Sequence, residues 1–163
     1  MNPWKKALEE GLVAGSVASL TSALALAAAG RHENGFAAAP VNAISHWIWD
    51  RPALRVNRTT VRHTLVGYLV HHAASVFWGV LHARAWGMRR EAKQPGPALA
   101  GAAAAAAVAC FVDMRMTPDR LTPGFEHRLS IGSMAAVYAC FALGLAAGSI
   151  AAGQRRANHQ VAE

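Results

Sequence analysis

"RHTLVGYLVHHAASVFWGVLHAR", residues Arg62 to Arg84, has an arginine at each end and 21 residues between them without a formal charge. As α-helix that interval reaches about 32 Å at 1.5 Å per residue, and the hydrocarbon core of a bilayer is about 30 Å thick. A helix of a soluble protein would show a charged face every turn or two. Yet two titratable rings, His71 and His72, stand side by side at the centre of the stretch. What those rings do depends on whether water or oil surrounds them.

The rest of the chain points to oil. No charge occurs between Gly11 and Gly30, between Pro95 and Val112, or between Leu129 and Gln154. The apolar fraction of 53% is only mildly high, so the distribution matters more than the mean. The spacing predicts an all-α fold, a four-transmembrane-helix bundle with spans at about 8–29, 61–85, 97–116 and 129–152, forming one integral membrane domain over 1–163. The breaker "QPGP" precedes the third span. Thr122 as N-cap and Pro123 at the first helical position leave an earlier start open for the fourth. A cleaved secretory signal is the competing reading of the first span. Glu9 and Glu10, placed where its apolar region would begin, argue against it.

The connector between the first two spans holds "PVNAISHWIWDRP". Val41, Ile44 and Ile48 share one helical face, with Trp47 beside it, and Asn42, Ser45 and His46 fall on the other. Trp47 and Trp49 favour the head-group boundary. The pattern predicts a short amphipathic helix lying in the interface over 40–49.

The net charge of +7 comes from Arg and Lys in connectors and tails, where they favour anionic lipid head groups. No basic folded face with stacking aromatics is present, which argues against a nucleic-acid partner. Each side of the membrane receives eight Lys plus Arg, so the positive-inside rule is nearly silent. The compact basic turn "RAWGMRREAK" favours cytoplasmic termini.

Lipid gives helices no hydrophobic reason to associate, so small residues must let backbones approach. Ala7, Gly11, Gly15, Ser19, Ala23 and Ala27 form such a ridge on span 1. Gly67, His71, Ser75, Gly79 and Ala83 form one on span 2, and Gly132, Ala136, Cys140, Gly144, Gly148 and Ala152 one on span 4. Span 3 is small nearly all round and is expected to be covered by neighbours, in this chain or in a second copy. The ridges predict a tight bundle with little room between helices, which argues against a wide internal pore.

His71 lies on the span 2 ridge and is expected to face another helix, with His72 turned about 100° away. Counting depth from each span's middle puts Thr21, Ser22, Cys110 and Tyr138 near the same level, with Tyr68 and Asp113 about one turn closer to the surface. One polar layer of Tyr68, His71, His72, Cys110, Asp113 and Tyr138 is therefore expected. Such a layer serves either as interhelical glue or as a site for a proton relay, a lipid or quinone head group, or a metal. Haem between helices usually takes histidines from two spans, and His63, His71, His72 and His82 all belong to one; a single proximal His71 remains open. A metal held by His71, Cys110 and Cys140 is conceivable, though no spacing demands it. The cysteines otherwise serve as small packing residues.

At the other surface, Glu9 and Glu10 open span 1 while His82 and Arg84 close span 2, so Glu10, His82 and Arg84 are expected to pair. Asp113 is expected to reach Arg62 or His63. The mixed-charge connector "VDMRMTPDRLTPGFEHRLS" reads as a substrate mouth or a solvated cap. No GxSxG elbow, Walker loop, HExxH, CxxC or dinucleotide fingerprint occurs, so no catalytic residue is assigned.

Through "RLTPGFEHRLS", "VYACFALGLAAG" and "HHAASVFWGVLHA" the chain resembles small multi-span bacterial inner-membrane proteins, from about Pro40 onward. The resemblance implies a multi-pass inner-membrane location and brings no activity. The expected functions are an accessory or structural membrane protein, a small proton-coupled transporter, or a redox or lipid-binding protein using the His71 layer. The bilayer is the expected partner, with a homo-oligomer or larger membrane complex open.

Overall fold

The computed structural model describes residues 2–161; Met1, residues 162–163 and the side chains beyond residue 155, Arg156 among them, lie outside that description. Helix α1 runs Pro3–Asn34, α2 Ala39–Ile44, α3 His46–Trp49, α4 Val66–His82, α5 Pro95–Phe111 and α6 Ile131–Val161. Single π-helical turns extend α4 at both ends, Val61–Leu65 and Ala83–Gly87, and extend α5 through Val112–Met116. The described residues contain no strand. Four helices are long and apolar enough to cross a membrane: Pro3–Asn34, Val61–Gly87, Pro95–Met116 and Ile131–Arg155. This is the architecture of a multi-pass membrane protein.

The helices outrun the charge-free stretches because a helix ends at its caps and not at the hydrocarbon boundary. Asn2 Oδ1 accepts from Trp4 N at 2.8 Å and Pro3 takes the first turn, so α1 begins well before its apolar run. It ends at Gly35, whose φ of 75° stops it in the left-handed region. Helix α6 begins later than the Thr122–Pro123 pair suggested. Ser130 caps it by accepting from Ser133 N at 3.3 Å, and Glu33 in turn accepts from Ser130 N at 2.7 Å.

Helix α1 is the centre of the bundle and packs along both α4 and α6, while α5 packs on α6. The α1–α4 crossing is close enough to exclude side chains. A Cβ on Gly15 would lie 2.6 Å from Val76 Cα, and one on Gly79 would lie 2.9 Å from Gly15 Cα. Contact at that range gains dispersion energy over many atom pairs, the main attraction available where lipid replaces water. The large residues point the other way: Leu20, Leu24, Phe77, Phe111 and Leu143 are all exposed. An apolar exterior of this extent suits hydrocarbon surroundings.

Two expectations are corrected. The connector helix is not a single amphipathic rod with a wetted face. It breaks at Ser45 into α2 and α3, and Asn42 and Ser45 are fully buried. Asn42 earns its burial by hydrogen bonding: Nδ2 donates to Val56 O and Arg58 O, both at 2.9 Å, and Oδ1 accepts from Thr64 at 2.6 Å. Within this chain helix α5 is covered along only one stripe, Ala98, Ala102, Ala106 and Ala109, and its exposed Leu99, Val108 and Phe111 are left to lipid or to a second copy. The bundle is also not tight throughout. Helices α4 and α5 scarcely meet, and a cleft of about 500 Å³ lies between them. On α6, Gly132 and Ala136 of the small-residue ridge are exposed, whereas Gly144 and Gly148 lie against α1.

Candidate functional site

The cleft is walled by α4 on one side and by the end of α5 with α6 on the other. Its surface is mostly apolar, through Val70, Ala74, Phe77, Val137 and Phe141. Its polar lining comes from Ser22, His71, Ser75, Asp113, Thr117 and Tyr138. The α4 side projects inward because Gly67, Ser75 and Gly79 seat the helix on its neighbours, leaving His71 and Ala74 at the edge of that contact.

His71 Nε2 lies 2.9 Å from Ser22 Oγ on α1, with the Ser19 carbonyl beside it. The Ser22 hydroxyl donates back along its own helix to Ala18 O at 2.7 Å. Its single hydrogen is thereby used, so Ser22 Oγ accepts from His71 Nε2–H and Nδ1 presents a lone pair. Any haem iron or metal held by His71 would have to take that nitrogen. Across the cleft, Tyr138 OH donates to Asp113 Oδ2 at 2.8 Å. Asp113 sits in the π-helical turn that ends α5, where Thr117 N closes onto Val112 O at 2.9 Å. Such single π-turns recur at functional positions.

The expected layer thus divides. His71, Asp113 and Tyr138 line one cleft. Tyr68 and His72 do not line it and form a ring pair of their own, centroids 5.9 Å apart. Cys110 lies one turn before Asp113 and is absent from the lining. Cys140 contributes its carbonyl, which accepts from Thr21 at 2.8 Å. Among the described residues no group of three His, Cys, Asp or Glu is placed to hold a metal ion. Asp113 does not reach Arg62 or His63. Helix α5 packs mainly on α6 and only lightly on α4, so its carboxylate meets Tyr138; Arg62 lies over the Trp49 ring at 4.3 Å and His63 Nδ1 is 3.0 Å from Ser45 Oγ.

The third connector forms the roof of the cleft. Leu121, Pro123 and Phe125 face the cleft, while Thr122 and Glu126 face a second, polar cavity of about 1140 Å³ on the connector side. Leu121 closes one 3₁₀ turn and Phe125 opens another, with Gly124 between them at a φ of 87°, and this folded segment separates the two spaces. Trp47 holds the segment by donating to Thr122 O at 2.8 Å, and the Phe125 ring meets Tyr138 edge-on at 6.2 Å. Trp47 and Phe125 were not candidates from sequence. In the sequence Trp47 reads only as a head-group anchor, and Phe125 only as part of a connector that is either a mouth or a solvated cap.

At the opposite end the pairing differs from expectation. Glu10 is fully buried, but its partner is Lys93 at 2.5 Å and not Arg84. Lys93 also donates to Ser149 O at 3.0 Å, and Ser149 Oγ donates to Glu10 Oε1 at 3.0 Å. His82 is buried beside this cluster, since a Cβ on Gly87 would lie 2.8 Å from Glu10 Oε1 and 3.2 Å from His82 Nδ1. Arg84 points outward over the Trp4 ring at 5.4 Å. The long Lys93 stem can reach inward where the stiffer, broader guanidinium at the helix end finds an aromatic face instead.

Compared with known proteins, the chain matches no family model, no curated protein and no solved structure.

Proposed function

We propose that this chain binds a lipid-soluble amphiphile in the cleft between α4 and α5, with a hydrocarbon chain along the apolar walls and a small head group at His71 and Asp113. The observation that carries this reading is the cleft itself: about 500 Å³ of mostly apolar space between two membrane-length helices, with an imidazole and a carboxylate in its wall. Pockets of that size and composition, apolar with a few convergent polar groups, are where small ligands are held. Phe77, which lines the cleft and is 57% exposed, supports an opening toward lipid. The resemblance noted above supports a bacterial inner membrane, and the basic turn after α4 supports cytoplasmic termini.

An accessory or structural role is the second reading. It is favoured by the His71–Ser22 bond, which already gives the ring one partner across a helix interface. Filling the cleft separates the two. Native mass spectrometry of the detergent-extracted chain should detect a co-purifying amphiphile, lost in Ala74→Trp while the variant stays monodisperse and helical. If wild type and variant carry the same lipids in the same amounts, the cleft is not a binding site and the structural role is left.

A further inference from the structure

We infer that the head group recognised in the cleft is a hydroxyl, so that the ligand class is a long-chain or isoprenoid alcohol or a lipid-soluble phenol. This rests on the reading of the cleft as an amphiphile site and adds the chemistry of its polar end.

The polar groups of the lining decide it. Most donors are already committed. Ser22 donates to Ala18 O at 2.7 Å, Thr117 to Val112 O at 3.0 Å, Tyr138 to Asp113 Oδ2 at 2.8 Å and Trp47 to Thr122 O at 2.8 Å. His71 spends its Nε2–H on Ser22. Two acceptors remain without a hydrogen bond among the described residues: Asp113 Oδ1 and His71 Nδ1. Two donors are also left, the Ser75 hydroxyl and the Trp78 indole. Ser75 lies one helical turn beyond His71 and can accept as well as donate.

An acceptor-only head, such as a ketone, ester or ether, could take a hydrogen from Ser75. It would leave Asp113 Oδ1 and His71 Nδ1 facing lone pairs, and unpaired polar groups away from water are what a binding site rejects most strongly. A carboxylate or phosphate would add like charge beside Asp113. An ammonium would suit Asp113 but must shed its water in a mostly apolar space, which is costly. A hydroxyl donates to Asp113 Oδ1, the charged and so the stronger of the two acceptors, accepts from Ser75 and carries no charge.

The test uses two probes of equal chain length, hexadecanol and its methyl ether, titrated into the full-length chain in detergent and counted by native mass spectrometry. Hexadecanol should bind about tenfold more tightly than the ether, the worth of one hydrogen bond to a charged acceptor. In Asp113→Asn the amide still accepts from Tyr138 but offers a donor toward the cleft, so the ratio should fall toward one. Equal binding of both probes to wild type overturns the hydroxyl inference and leaves the amphiphile site standing. A ratio unchanged in Asp113→Asn overturns it too, since the carboxylate would then play no part. If neither probe binds, the cleft reading itself fails and the inference goes with it.

Discussion

Two polar clusters lie toward opposite ends of the same bundle, and they are built on opposite terms. At the terminal end, Glu10, Lys93 and Ser149 bond to one another across α1, the turn before α5, and α6, with Glu10 fully buried. At the connector end, His71 and the Asp113–Tyr138 pair each satisfy one atom locally and line a cleft with the other side. Polar groups inside a membrane protein are expensive in both places. In the first cluster Glu10, Lys93 and Ser149 offset that cost among themselves and act as a fastener, with the His82 ring beside them making no hydrogen bond among the described residues. The second stays partly unsatisfied, which is the condition for holding something else.

The largest effect should come from breaking the fastener. Glu10→Ala removes the carboxylate from a Lys93 ammonium that is 23% exposed, so the loss should approach, without reaching, the roughly 3 kcal/mol typical of breaking a fully buried ion pair. Thermal unfolding in detergent, followed by circular dichroism, should show that loss. Replacing both partners, Glu10→Leu with Lys93→Met, should recover most of it, because an apolar pair needs no compensation. If the single variant melts like wild type, the cluster is not a fastener and the contrast with the cleft disappears.

A smaller effect on stability is expected at the cleft. His71→Leu removes one interhelical hydrogen bond, worth about 1 kcal/mol or less in such bundles, and replaces the ring with an apolar side chain. The same melting experiment should register a change within that range, while the co-purifying amphiphile falls. A loss as large as that of Glu10→Ala would make His71 a fastener as well.

Much of this architecture was legible in the residues, for a definite reason. A bilayer excludes charge, so the intervals bounded by Arg62 and Arg84, or by Lys93 and Asp113, mark the spans whatever else the helices do. The small-residue ridge around Gly15 and Gly79 could be read because close approach admits few side chains. The cleft could not be read. Helix α5 is alanine on every side, so its composition gives no face and no neighbour, and the gap beside it exists because α5 follows α6 and leaves α4. The sequence therefore points Asp113 at the wrong helix, and it gives no sign that Lys93 turns inward to Glu10, because chain position says nothing about which side chain does so. The buried face of Asn42 and Ser45 was missed on similar grounds: a polar face looks the same in sequence whether water or the ends of other helices satisfy it.

The claim that most depends on measurement is that the space between α4 and α5 is open to lipid. A spin label on Ala74→Cys, with Cys110 and Cys140 replaced by alanine, would report the accessibility of that position to dissolved oxygen in a bilayer. A label at Leu24, which is 71% exposed on α1, supplies the lipid-facing standard. The Ala74 label should approach that standard in the empty protein and become shielded when hexadecanol is added. An Ala74 label that is immobile and shielded from the start would mean that the two helices close on each other, and there would be no cleft.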